Sequence, residues 1–270
     1  MNHLLLVPGG LALLVACDAA SGPIDVPRAR FDLRAATGLD TVSAVGIAVD
    51  PSGQRFLFDE RAGLYRLAAD GSGFLVSSIA SLPIPDVPVQ PPFTDLVAVG
   101  PDRFAVTAIG DGFLLDVASH TMVQYFCYLP DDLPDDSRQR TDALAFDGAS
   151  DRIYAQPRTY SASDPDQTVL FTQIAGYDRA TGVDLEWHEA PPDLRAGGMV
   201  MLGGELVVGA GTRLGVFDLA ANHLERRDDL ARFGVAAIEG LAFDPSADTL
   251  LVVDGPSQEL VEIDVAQLRL

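Results

Sequence analysis

Lysine is absent from this 270-residue chain; all 18 basic side chains are arginine. Positive charge is therefore scarce against 39 acidic residues, and the formal net charge is -21. Such a surface repels phosphate backbones, which excludes a nucleic-acid partner, and it has no electrostatic grip on anionic lipid head groups. Cationic ligands and metal ions stay open. Cysteine occurs only at Cys17 and Cys127, and histidine only four times. No histidines pair at a zinc-ligand spacing, and none is placed to serve a Ser or Cys nucleophile. No apolar run reaches the ~20 residues a membrane helix needs. Glycine clusters such as Gly209-Ala210-Gly211 follow strands without opening a helix, which argues against a phosphate cradle.

What is present suits a large core: 48% of the residues are hydrophobic, too many for a disordered chain. Of the 39 acids, 31 are Asp, accompanied by 25 Gly and 18 Pro. Asp hydrogen-bonds nearby backbone in tight turns, so this composition reads as an all-β chain with many of them.

The apolar run Leu4–Val15, broken by Pro8-Gly9-Gly10, ends in Leu14-Val15-Ala16-Cys17. It has the length of a signal peptide's apolar region, with a buried strand as the plainer alternative. Leu14–Cys17 resembles the lipobox of bacterial lipoproteins. That resemblance implies cleavage before Cys17, a diacylglycerol on its sulfur, and a membrane-anchored protein of the cell envelope, facing the periplasm or the surface. The leader Met1-Asn2-His3 carries no Lys or Arg. Cys127 would then lack a disulfide partner and is expected as a buried, inert thiol; a Cys17–Cys127 disulfide is the alternative should the lipobox fail.

After Cys17 two patterns alternate. An apolar strand ending in a turn occurs as Gly46–Pro51, Leu96–Pro101, Ala143–Gly148, Met199–Gly203 and Gly240–Pro245. A strand ending in an acid and small residues occurs as Leu115–Ala118, Tyr177–Ala180, Phe217–Ala220 and Ile263–Ala266; Tyr65–Ala68 carries Arg66 in the acid's place. Five units in the residues after cleavage average ~51 each, the length of a four-stranded propeller blade. The fold expected is a β-propeller of about five four-stranded blades, with six as the alternative. The last unit ends after its third strand, and Arg30–Arg34 is expected to supply the fourth, closing the ring. The chain thus divides into a leader (1–16), a lipidated cysteine and tether (17–29) and a propeller (30–270). The repeats Gly46–Pro51 and Leu241–Pro245 and the Asp turns resemble NHL-repeat and SMP-30-like propellers.

Longer connections gather on one face: Leu82–Phe93, Pro130–Thr141, Pro157–Gln167 and Asp228–Ala237. Binding is expected there, with Arg61, Phe93, Arg158, Tyr160 and Arg213 as anchors. The acids Asp131, Asp132, Asp135 and Asp136 lie in one of these loops and read as solvated, with weak Ca²⁺ binding behind that. Asp95, Asp142 and Glu239 recur at one repeat position, where an inner strand begins. They are expected to ring the channel mouth and either to accept backbone N–H bonds or to hold a cation such as Ca²⁺. The SMP-30-like resemblance implies a ring-axis metal beside a Glu-Gly pair, matched by Glu239-Gly240; those hydrolases also use Asn ligands, and this chain has only Asn222 after the leader. The preferred function is therefore non-enzymatic binding of a protein, peptide or glycan, with a Ca²⁺-dependent hydrolase or lactonase as the alternative.

Overall fold

The two alternating patterns fold as the first and third strands of five antiparallel, four-stranded sheets arranged as a β-propeller. The computed structural model describes residues 25–78, 81, 93–108, 111–127, 137–161 and 169–270. Blade one is β2 (Ala44–Val49), β3 (Arg55–Asp59), β4 (Gly63–Leu67) and β5 (Gly73–Ser78). Blade two is β6 (Phe93–Gly100), β7 (Arg103–Ala108), β8 (Asp111–Asp116) and β9 (Thr121–Cys127). Blade three is β10 (Ser137–Asp147), β11 (Arg152–Ser161), β12 (Val169–Asp178) and β13 (Asp184–Ala190). Blade four is β14 (Gly198–Leu202), β15 (Glu205–Ala210), β16 (Arg213–Asp218) and β17 (His223–Asp229). Blade five has β18 (Ile238–Asp244), β19 (Thr249–Asp254) and β20 (Glu259–Asp264) from the end of the chain. Its outer strand is β1 (Ala29–Asp32), which pairs with β20 from Ala29↔Glu262 to Asp32↔Glu259.

Ring closure by the N-terminal segment is thus as expected, but the strand stops at Asp32. The Asp32 carboxylate accepts from the N–H groups of Arg34 and Ala35 and caps a short helix, α1 (Leu33–Thr37). That cap turns the chain out of the sheet.

A single sheet face cannot be buried by its own blade, so each blade needs a neighbour. Five clusters of buried side chains result, one at each of the five blade–blade interfaces. Between blades one and two, Phe56 meets Phe104 at 4.7 Å and Phe58 meets Phe93 at 5.1 Å, both edge-on. Inner strands contact one another in the cyclic order β2, β6, β10, β14, β18. They lie close: a Cβ on Gly46 would stand 2.6 Å from the Leu96 amide nitrogen.

The turns after the first and third strands are tied by Asp. Oδ1 of Asp50, Asp244, Asp178 and Asp218 accepts backbone N–H bonds from residues two to four positions on. This is the Asx-turn chemistry that the Asp-rich composition implied.

Blade three corrects the expectation of loops at Pro130–Thr141 and Pro157–Gln167. Ser137–Thr141 belongs to β10 and Pro157–Ser161 to β11. In blade five the first rung of the ladder is Ile238↔Asp254. The matching rung in blade three is Thr141↔Pro157, and four more follow to Ser137↔Ser161. β12 accompanies them through Arg158↔Thr172 to Tyr160↔Val169. At ~3.3 Å per residue this three-stranded tab rises ~13 Å beyond the ladder of blade five.

Candidate functional site at the upper channel mouth

The end of the ring where the inner strands begin is called the upper face. At this end four of the five inner strands share an irregularity: the ladder register slips between Ala44 and Gly46, Phe93 and Asp95, Thr141 and Leu144, and Ile238 and Gly240. A bulge leaves a residue outside the ladder and re-aims its side chain. The residues skipped are Val45, Thr94, Asp142 with Ala143, and Glu239. Val45, Thr94, Asp142 and Glu239, with Ala44, Arg140, Ala196 and Gly197, line a cavity of about 270 Å³ at the mouth.

The three acids expected to ring this mouth meet three different surroundings. In β6 the skipped residue is Thr94, one position earlier than in the other blades, so Asp95 stays in the ladder and turns between blades. Asp95 is 2% exposed; Oδ1 accepts from its own neighbour Leu96 N–H, and Oδ2 accepts from Leu144 N–H of blade three, each at 2.7 Å. Burial pushes its carboxyl well above the usual carboxylate range, against the two amide bonds that lower it.

Asp142 is clamped by two guanidinium groups. Arg158 donates from Nε and, at 3.0 Å, from Nη2, while Arg140 Nε lies 2.9 Å away. Of the two acids that line the mouth cavity, Glu239 is the one no guanidinium clamps. It is an exposed residue, yet its carboxyl lies over the backbone of Gly255, in the space a Cβ would fill. That partial loss of water, and the charges of Asp254 and Glu60, raise its pKa.

Two of the three expected calcium ligands are thus spent on protein donors. Among the described residues no three His, Cys, Asp or Glu side chains gather as a metal-binding group. Of the alternatives open at this position, acceptance of a neighbouring blade's N–H is what Asp95 does.

The expected binding-face residues also divide. Arg61, Tyr160 and Arg213 stand on the upper face, at the β3–β4 turn, near the end of β11 and at the start of β16. The side chains of Arg61 and Arg213 are 75% and 57% exposed. Arg158 is on that face too, but it is committed to Asp142. Phe93 is a correction: at 1% exposure it belongs to the core against Phe58, because β6 starts at Phe93 and points it between blades. Cys17, the leader and the acids at 131, 132, 135 and 136 lie outside the described residues, and so does most of the Leu82–Phe93 connection.

Sequence reasoning missed Arg140 and Thr94. The alternation Arg140-Thr141-Asp142 was the available signal, since period two places Arg140 and Asp142 on one strand face. On the opposite face Gln139 and Thr159 are buried, and Gln139 Nε2 donates to Thr159 Oγ1 at 3.3 Å.

The histidines are elsewhere. His120 and His223 follow third strands near the lower face, and His188 lies on the outer strand β13 with Nδ1 3.0 Å from Asn222 Oδ1. Among the described residues the mouth offers the Glu239 carboxylate, the half-exposed guanidinium of Arg140 and a raised sheet edge. These groups can form ion pairs and hydrogen bonds.

No family model matches the sequence, and no curated protein matches it. Among solved structures, a chain from a mitotic checkpoint complex is similar at a TM-score of 0.45 and 12% identity, covering 96% of this chain and 99% of that one. A chain from a nidogen–laminin complex is similar at a TM-score of 0.49 and 9% identity, covering 85% of this chain and 83% of that one.

Proposed function

We propose that this protein is a non-catalytic binding scaffold of the bacterial cell envelope, held at the membrane by acylated Cys17. Its ligand is a protein, peptide or glycan that meets the upper face. The tab of blade three carries this reading. Three strands run on past the ring; Arg140 lines the mouth cavity, and Arg158 and Tyr160 stand on the paired strand β11. Arginine and tyrosine are the side chains that most often anchor interfaces. A rigid raised edge beside a concave mouth gives a ligand both a wall and a floor. Membrane attachment is supported by the Leu14–Cys17 sequence alone.

The test uses a photo-crosslinking residue at Tyr160 in the intact protein, expressed in its own cell envelope, with the same probe at His120 on the opposite face. A discrete adduct from position 160 that position 120 does not give, and that Arg61→Glu with Arg213→Glu abolishes, is the expected result. Identical adducts from both positions would remove the upper face from consideration. Anchoring is read separately: Cys17→Ser is expected to abolish incorporation of labelled palmitate and to move the protein from the membrane to the soluble fraction. Retained labelling would refute the anchor.

A further inference from the structure

The ring holds a second cavity, about 220 Å³, towards the lower face, where the inner strands end. All five inner strands contribute to it. Its walls include Val49, Val97, Phe146, Met201, Leu241 and Phe243, and Pro51 and Pro245 stand at its rim. One acid, Asp50, reaches the lining, and it is already satisfied: Oδ1 accepts from Ser52 N–H, Ser52 Oγ–H and Gln54 N–H at 2.9, 2.6 and 2.9 Å. The lining side chains therefore offer carbon and thioether surface and no free charge. Polar character comes only from the inner strands themselves, each of which is the edge of its sheet with one unpaired row of backbone groups.

We infer that this lower cavity is a binding site for a compact, neutral aromatic ligand of one or two rings. The volume sets the size, since apolar cavities of ~150 Å³ take up benzene. The wall sets the chemistry: mostly apolar pockets with a few backbone donors or acceptors bind ligands with an apolar body and at most one polar group. A charged ligand would lose its hydration without a partner. Met199 and Met201 add adaptable, polarizable surface that suits the edge of an aromatic ring. The site is on the face opposite the tab and stands whether or not a partner meets the upper face.

The chain carries its own reporters. Its four methionines are Met1, Met122, Met199 and Met201. Met122 is buried in the cluster between blades one and two, away from this cavity. In protein labelled with ¹³C at the methionine methyls, indole titrated to millimolar concentration is expected to shift Met199 and Met201 saturably and to leave Met122 in place. Met201→Glu puts a charge on a wall position that is already partly exposed. It is expected to weaken indole by at least ~10-fold, with an unmoved Met122 signal showing an intact fold. A titration that leaves Met199 unmoved, one that shifts Met122, Met199 and Met201 in parallel, or a Met201→Glu variant of unchanged affinity would each overturn the site.

Discussion

Asp95, Asp142 and Glu239 occupy one repeat position and do three different things, because a carboxylate's role is set by the donors its neighbours bring. Asp95 bridges two blades by accepting Leu144 N–H, so its loss leaves buried amides without an acceptor. Asp95→Ala is expected to cost about 1–3 kcal/mol at pH 4. Its folded pKa lies above the unfolded value near ~3.9, so the folded chain holds the proton more tightly than the unfolded chain. The stability that Asp95 contributes is then full below the unfolded value and is lost as pH rises through the folded value. Denaturant unfolding of wild type and variant across pH 4 to 8 checks this. The gap should narrow as pH rises, and a widening gap would contradict it. Gly46 belongs to the same close approach. A Cβ there would sit 2.7 Å from Asp95 Oδ1, so even alanine would displace the bridge.

Among elements, the second-to-third strand turns and the blade-to-blade connections are joined by two acids at matching positions. Asp59 ends β3, with Oδ2 accepting Ser43 N–H at 2.7 Å and Oδ1 accepting Arg61 and Ala62 N–H. Asp254 ends β19, and Oδ1 accepts Ala236 and Ala237 N–H. Both carboxylates are at most 1% exposed and their donors are part-buried, so removing either leaves several partly shielded N–H groups without their acceptor. Asp254→Ala should therefore lower stability by about 1–3 kcal/mol. Asp218→Ala removes a similar pair of turn bonds, but water replaces them at an exposed site, and about 0.5–1 kcal/mol is expected. Thermal unfolding of the two variants side by side tests that contrast. The tab was hidden by Pro157, which lacks an N–H and reads as a strand breaker. In the folded chain Pro157 sits where the β10–β11 register slips, so the ladder resumes beyond it.

At the scale of the whole ring, both ends of the described chain meet one side chain. Arg232 donates to Asp25 near the N-terminal side, to both oxygens of Asp228, and to the Gln267 carbonyl at 2.5 Å. Its guanidinium is held further above its ordinary pKa by the Asp228 bonds. Arg232→Ala leaves Asp228 nearly buried without its cation and releases both ends of the ring. A loss of about 3 kcal/mol is expected, and limited proteolysis should cut first near residue 25. Wild-type resistance in the variant would deny the clasp. The alternating motifs by themselves determined the repeat, its strand order and its closure by the N-terminal strand, because period-two burial and Asp turns are local properties of the chain. They also marked the upper face, through the length of its connections. The tertiary structure alone decided which acid faces a donor, that Phe93 is core, and that Arg140 stands at the mouth. Those outcomes depend on one-residue slips in register, and a slip of one residue reverses the face a side chain occupies.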